Sequence, residues 1–144
     1  MHELRRAILE LAGGASAASP LTVNVLSFGF KHGVPADADL VFDVRFLPNP
    51  HFVQKLRPLS GQNPRVSRYV MRAVGARTFL RLTAALLQFL LPQYIAEGKS
   101  YLTVAIGCTG GRHRSVAIAE ALARRLGKVR GVTLRVRHRD INAQ

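Results

Sequence analysis

The sequence predicts a single small α/β domain with a mainly parallel sheet flanked by helices. Short apolar segments rich in β-branched residues alternate along the chain with longer segments of helical periodicity. Glycine-rich, basic or histidine-bearing stretches follow three of the strand segments, as loops do at the carboxyl ends of parallel strands. The length of 144 residues suits one domain with a substantial core.

The start of the chain is predicted to be an appendage to this domain. Residues 1–11 have the apolar spacing of a short helix, and residues 13–20 form a small, polar linker. We therefore place an N-terminal helix and linker in residues 1–20 and the compact domain in residues 21–144.

Two strands are predicted next. Residues 21–27 are mostly apolar and β-branched, which indicates a buried strand. A second strand is predicted over residues 38–47. Pro48 and Pro50 end it and fix the local backbone, so we expect His51 to lie on a constrained loop.

The middle of the chain predicts two helices and a third strand. Residues 66–71 have the spacing of a short helix, and residues 76–96 that of the longest one, in which Pro92 is a candidate kink or end. Residues 101–106 are nearly all apolar, which is typical of a strand covered on both faces. The apolar face of the longest helix, expected to be core, consists of Phe79, Leu82, Thr83, Leu86, Leu87 and Leu90.

The C-terminal part predicts one more helix and one more strand. Residues 115–126 carry a helical apolar stripe, and residues 132–140 read as a strand. Side chains alternate between the two faces of a strand, so Arg135, Arg137 and Arg139 share one face.

The charge balance indicates an anionic partner. The chain has 21 Lys and Arg against 8 Asp and Glu, a formal charge of +13. Such a field attracts nucleic acid, anionic membrane or phosphorylated small molecules, and a solvated basic surface is the alternative. The single cysteine excludes an internal disulfide, no signal peptide is evident, and the apolar run 82–91 is too short to span a bilayer. We therefore expect a cytoplasmic protein without membrane contact.

The stretch from Gly107 to Ser115, Gly-Cys-Thr-Gly-Gly-Arg-His-Arg-Ser, joins the third strand to the last helix. A strand, a glycine-rich turn and a helix N-terminus in succession hold phosphate in many proteins, because backbone N–H groups and the helix dipole converge on the anion. The glycine spacing and the missing lysine exclude the P-loop of nucleotide hydrolases.

A cysteine-dependent phosphatase is one interpretation of this loop. Cys108, five residues, Arg114 and Ser115 match the Cys-x5-Arg-Ser/Thr pattern of protein tyrosine phosphatases, in which a thiolate attacks phosphorus and the arginine holds the phosphate. Cys108 and Arg114 would then be catalytic. However, Gly107 stands where those enzymes have a histidine, and the nearest candidate general acid, Asp43, lies in a predicted strand.

Longer blocks of the sequence resemble the C-terminal domain of the RapZ family of RNase adapter proteins. They occur in order and cover most of residues 27–139, with the helical middle contributing least. The blocks are Ser-Phe-Gly-Phe-Lys-His-Gly at 27–33, Val-Phe-Asp-Val-Arg-Phe-Leu-Pro-Asn-Pro-His at 41–51, Leu-Arg-Pro-Leu-Ser-Gly at 56–61, the whole stretch 100–115, and Arg-His-Arg at 137–139.

The resemblance implies a non-catalytic adapter that binds small regulatory RNA and glucosamine-6-phosphate, self-associates and helps to present RNA to an endoribonuclease. It also implies a fold similar to the ligand-binding subdomain of a phosphofructokinase. The P-loop nucleotide-binding domain that precedes this domain in the family has no counterpart in the sequence. Matched to the family pocket, and with the amide of Gly111 added, the predicted ligand-binding residues are His51, Cys108, Thr109, Gly110, Gly111, His113 and Arg114.

The C-terminal third of the chain is the predicted RNA-binding surface. Residues 112–139 contain nine Lys and Arg and the single acid Glu120. Phosphate contacts dominate RNA affinity, and aromatic residues are scarce here, so we expect recognition of backbone and shape. No metal-ligand pattern is present, and no metal or cofactor is predicted. The predicted RNA-binding residues are Arg112, Arg124, Arg125, Lys128, Arg130, Arg135, Arg137 and Arg139.

Overall fold

Four parallel strands form one sheet in the order β2-β3-β1-β4 in the computed structural model, which describes residues 20–143. The predicted N-terminal helix lies outside these residues. The alternation of strands and helices confirms the predicted α/β class. The strands are β1 (Leu21–Gly29), β2 (Leu40–Asp43), β3 (Tyr101–Cys108) and β4 (Val132–His138).

Within residues 20–143, three α-helices and two short 3-10 turns connect the strands. Helix α3 packs on β1, β3 and β4, and α2 packs on α3. Their buried aliphatic side chains join those of the central strands in one core. The helices are α1 (Pro64–Met71), α2 (Val74–Glu97) and α3 (Arg114–Leu126), and the 3-10 turns are Phe30–His32 and Pro50–Phe52.

Strand β2 is shorter than the predicted strand over residues 38–47. The Val44 N–H still donates to Gly107 O at 2.9 Å, but the Leu47 N–H then donates back to Val44 O at 3.2 Å. The chain therefore turns away from the sheet before it reaches Pro48. This early turn sends the segment before α1 across the end of the sheet.

The predicted core face of α2 was wrong at two positions. Leu82 is 58% exposed and Leu86 is 46% exposed. The sequence of α2 is apolar on nearly every side, so the choice of inner face depends on packing. Small residues let the helix approach its neighbours, and the buried side chains are Ala76, Leu80, Thr83, Ala84, Leu87 and Leu91.

Helix α2 continues through Pro92 and ends at Gly98, whose φ of 100° gives a left-handed C-cap. Within residues 20–143 it is the one helix long and apolar enough to cross a bilayer. Core helices pass the same test, so length and composition are weak evidence for a membrane span. The expected lack of membrane contact stays a prediction.

Candidate anion-binding site

The carboxyl ends of the central strands bring the predicted loops together. In the sheet register, Cys108 at the end of β3 lies opposite Gly29 at the end of β1. Gly107 lies opposite Asp43 at the end of β2. The segments that leave the sheet at this edge are 30–35, 44–57, 109–113 and the residues that follow His138.

Neighbouring backbone holds the glycine-rich loop in place. The Lys31 N–H donates to Thr109 O at 3.1 Å, and the Gly61 N–H donates to Arg112 O at 2.8 Å. These bonds tie both ends of the loop, one to the segment after β1 and the other to the segment before α1. The loop shape is therefore set before any ligand arrives.

Asp140, which follows β4, binds the end of β1 beside the glycine-rich loop. Its Oδ2 accepts the Gly29 N–H at 2.8 Å and the Arg139 guanidinium, also at 2.8 Å. Burial raises the pKa of Asp140, but the hydrogen bonds from Arg139 and the Gly29 amide outweigh burial and lower it. Gly111 lies beside Asp140 and has a φ of 84°. A Cβ atom added at Gly111 would lie 2.9 Å from the Cβ atom of Asp140.

The Cys108 thiol points into the loop rather than outward. The side chain is 3% exposed. Its Sγ accepts the Gly111 N–H at 3.3 Å and lies 3.1 Å from Ser115 Oγ. The thiol therefore accepts from the loop backbone and donates to Ser115 Oγ, and it shapes the loop from inside.

Arg114 is a buried cation that forms no salt bridge within residues 20–143. Its guanidinium donates to Arg45 O at 2.8 Å, to Leu47 O at 3.1 Å and to Thr109 Oγ1 at 3.3 Å. None of the carboxylates in residues 20–143 pairs with it, and its buried Nε has no hydrogen-bond partner there. Carbonyls accept hydrogen bonds from the guanidinium N–H groups, but they do not neutralise its buried charge. An anion bound beside Thr109 would neutralise it.

His113 and His51 lie on adjoining segments. His113 Nε2 is 3.0 Å from Arg57 O, and since a carbonyl only accepts, Nε2 carries the proton of the neutral ring. Burial lowers the pKa of His113, and the charges of Arg112 and His51 lower it further. The hydrogen bond to Arg57 O acts in the opposite direction but does not outweigh them. His51 is exposed, and its N–H donates to the Asn49 side chain at 3.1 Å.

The loop faces solvent at the start of α3. The first turn of α3 has no side-chain cap and no acidic residue, so no carboxylate neutralises the positive end of its dipole. Thr109 is exposed, and a methyl group at Gly110 would meet no atom within 4 Å. The buried guanidinium and the positive end of the α3 dipole thus lie near an open surface, whereas the Gly111 N–H is already donated to Cys108 Sγ.

Two further residues bear on a phosphatase mechanism. Asp43 is held by the Arg45 guanidinium at 2.6 Å, and this hydrogen bond lowers the pKa of the carboxyl, whereas a general acid needs a raised one. A Cβ at Gly107 would lie 2.5 Å from the Phe28 ring and 2.6 Å from the Phe30 ring. The histidine of phosphatases therefore has no room at this position.

The structure divides the predicted RNA-binding residues into separate groups. Arg112 donates to Ile141 O and Pro58 O at 3.2 Å each, and Arg139 is paired with Asp140. Those two cations therefore brace the site. Three exposed cations lie on or near β4, and three line a groove at the end of α3. The first three are Arg130, Arg135 and Arg137, and the others are Arg124, Arg125 and Lys128.

A chain of polar side chains that sequence reasoning missed joins β1, β4 and α3. Ser27 Oγ lies 2.6 Å from His138 Nδ1, and His138 Nε2 lies 3.0 Å from Glu120 Oε1. The residue types match those of a hydrolase triad. Ser27 is fully buried, however, so no substrate reaches its hydroxyl and the chain is structural. The available signal was weak, because Ser27 is one of three polar residues in β1, with Thr22 and Asn24.

Comparison with known proteins identifies close relatives. A sequence profile described as the RapZ C-terminal domain matches residues 21–142. A protein named nucleotide-binding protein from Trichlorobacter lovleyi is 56% identical over 98% of this chain and 49% of its own length. One of the same name from Rubrobacter xylanophilus is 58% identical over 89% of this chain and 43% of its own length. The chain thus spans about half the length of these relatives.

Proposed function

This chain belongs to the family of RapZ C-terminal domains, and from that membership we propose that it is a non-catalytic binding module. The proposed small ligand is a phosphorylated amino sugar such as glucosamine-6-phosphate, held by the glycine-rich loop. The proposed macromolecular ligand is RNA on a basic surface. The protein partners that accompany this proposal are an endoribonuclease and further copies of the chain, in the cytoplasm.

The buried guanidinium of Arg114 carries the small-ligand proposal. It is 4% exposed, lacks a carboxylate partner among residues 20–143, and reaches the exposed hydroxyl of Thr109. An anion at Thr109 would accept hydrogen bonds from the loop amides and from this hydroxyl, and would supply the missing negative charge. A sugar attached to the phosphate would then extend toward the His51 segment.

The small-ligand proposal is tested by calorimetric titration with glucosamine-6-phosphate, glucosamine and inorganic phosphate. Thr109→Val keeps the side-chain shape and removes the hydroxyl, so we expect binding at least tenfold weaker. Thr133→Val on β4 makes the same chemical change at an exposed position and should leave binding unchanged. Equal affinity for glucosamine and its phosphate would contradict the proposal.

Arg114 itself is a poor choice for this test. Its removal leaves the carbonyls of Arg45 and Leu47 without donors, at about 1–3 kcal/mol for each buried unsatisfied group. Loss of binding in an Arg114 variant would therefore not be separable from loss of the fold. Thr109 is exposed, and its substitution spares these contacts.

Nucleotides are the second ligand class to titrate. The relatives from Trichlorobacter lovleyi and Rubrobacter xylanophilus are named nucleotide-binding proteins, and each is about twice the length of this chain. A nucleotide phosphate would use the same loop amides as a sugar phosphate. If nucleotides bind with higher affinity than glucosamine-6-phosphate, the proposed small ligand becomes a nucleotide.

For RNA, the supporting observation is the exposed cations on β4. Leu134 lies near Gly127 at the end of α3, so strand alternation directs Arg135 and Arg137 to the opposite face. Together with Arg130 they form the proposed RNA surface. We expect affinity for an RNA hairpin to fall steeply with salt, and Arg135→Glu/Arg137→Glu to weaken binding and flatten that salt dependence. An unchanged slope in the variant would exclude this surface.

A cysteine-dependent phosphatase is the second candidate function. The Gly111 N–H at 3.3 Å from Cys108 Sγ favours it, because such a donor stabilises a thiolate. The buried sulfur and the lowered pKa of Asp43 oppose it. Turnover of an aryl phosphate that Cys108→Ser abolishes would replace the binding-module proposal.

A further inference from the structure

A groove between α2 and α3 lies apart from the loop site. Its volume is about 770 Å³. The floor is aliphatic, and the walls carry four cations but no carboxylate. The floor and one wall are formed by Met71, Leu80, Ala84, Ala85, Gln88 and Ala121, and the cations are Arg81, Arg124, Arg125 and Lys128.

We propose that this groove binds an acidic amphipathic segment of a partner protein. The four cations attract acidic side chains of a partner, and the lining contains no carboxylate that would repel those acidic side chains. The floor favours aliphatic side chains, since the accessible Met71 and Ala85 line the groove beside the almost fully buried Leu80. A helix with leucines on one side and glutamates beside them satisfies both parts of the groove.

The lining and shape of the groove disfavour two other anionic partners. Single-stranded RNA bases stack on aromatic side chains, and the groove lining has none. An anionic membrane is broad and flat, and it cannot enter a cleft between two helices. A peptide helix can lie along the cleft over the exposed Ala85, whereas a bilayer would contact only the rim.

An exposed apolar stripe on α2 lies beside the groove, outside its lining. Leu82, Leu86 and Phe89 follow one another at helical spacing, and Phe89 is 63% exposed. Helical geometry places this stripe next to Ala85 on the side away from the core. A partner helix in the groove would meet this stripe only at its edge beside Ala85, because Leu86 lies about 160° around α2 from Ala84.

The test uses a fluorescein-labelled synthetic peptide of sixteen residues, with leucines on one helical face and glutamates on the other. The full chain is titrated into it and anisotropy is recorded. A peptide of the same composition with the leucines scattered measures attraction by charge alone. An RNA hairpin and vesicles containing phosphatidylglycerol measure the two other classes of partner.

Two matched double variants locate the binding. Arg124→Glu/Arg125→Glu should weaken peptide binding at least tenfold, whereas Arg135→Glu/Arg137→Glu, with the same net charge, should not. Ala85→Trp fills the groove at an exposed helical position without changing charge, and should also weaken binding tenfold. Circular dichroism confirms that each variant is folded.

The proposal is overturned if the amphipathic peptide does not bind, or if the scattered peptide binds equally well. It is also overturned if both double variants weaken peptide binding equally, or if RNA or vesicles bind through Arg124 and Arg125 while the peptide does not. Failure of the RNA surface on β4 would leave this result untouched, because the peptide assay contains no RNA.

Discussion

The contact between Gly29 and the glycine-rich loop leads to a prediction of stability. The Gly29→Ala variant places a methyl group 2.4 Å from Gly110 C, 2.5 Å from Gly110 O and 2.8 Å from the Gly111 nitrogen. These are backbone atoms, so no side-chain rotation relieves the overlap. The loop must move by about 1 Å to reach ordinary van der Waals distance.

The expected cost follows from this displacement. Overpacking typically costs about 1–3 kcal/mol, and we expect the upper half because the moving segment is hydrogen-bonded backbone. Gly29 has φ of −107° and ψ of 128°, which alanine adopts without strain, so the cost is steric alone. For a domain of this size, about 2 kcal/mol lowers Tm by roughly 6–8 °C.

Gly110→Ala is the matched control in the same loop. Its methyl group meets nothing within 4 Å and its φ is not positive, so Tm should stay within about 2 °C of wild type or rise slightly. Differential scanning fluorimetry measures both variants. Equal Tm values for Gly29→Ala and wild type would refute the close approach of β1 to the loop.

Three other predictions concern charge and ligand binding. The pKa of His113 is lower in the folded chain than its ordinary value of 6.5, so as the pH falls the unfolded chain takes up the proton first. Folding stability is therefore fully present above pH 6.5 and decreases as the pH falls toward the folded pKa. His113→Gln should flatten the dependence of Tm on pH between about pH 5 and 7. The pKa of Asp140 is also lowered, so its contribution to stability is present above pH 3.8 and is lost as the pH falls below that value. Asp140→Asn should therefore lower the free energy of unfolding in urea by about 1–3 kcal/mol at pH 7, and by less below pH 3.8. Asp43→Asn, in an exposed pair, should cost less than about 1 kcal/mol at pH 7, and a cost equal to that of Asp140→Asn would contradict our account of both. Gly110→Ala should weaken glucosamine-6-phosphate at constant Tm, and undiminished calorimetric affinity would place the ligand elsewhere.

Much of the fold could be predicted because its signals are local. The strands over residues 21–27 and 101–106 are mostly apolar segments, and the structure contains both with slightly longer bounds. The second strand was overextended, because Phe46 and Leu47 are apolar but lie beyond a turn that depends on Val44. The local sequence shows which residues are apolar, but it does not show where the neighbouring strand ends, and that point sets the end of β2.

The inner face of α2 and the braces of the site could not be predicted for a different reason. Leu82 and Leu87 are equally apolar, and only packing on the sheet buries one and exposes the other. Asp140 acts on Gly29, which is 111 residues away in sequence, so no periodicity within either segment shows the contact. Among the predicted site residues, Arg114 illustrates the same limit, since its carbonyl partners lie in the segment after β2.

A nuclear magnetic resonance titration with glucosamine-6-phosphate tests the central claim most directly. If the loop holds the phosphate, the amide resonances of Thr109, Gly110 and Gly111 shift most, and glucosamine without phosphate leaves them unchanged. Shifts confined to α2 and the end of α3, or identical shifts with glucosamine, would show that the glycine-rich loop is not the phosphate site.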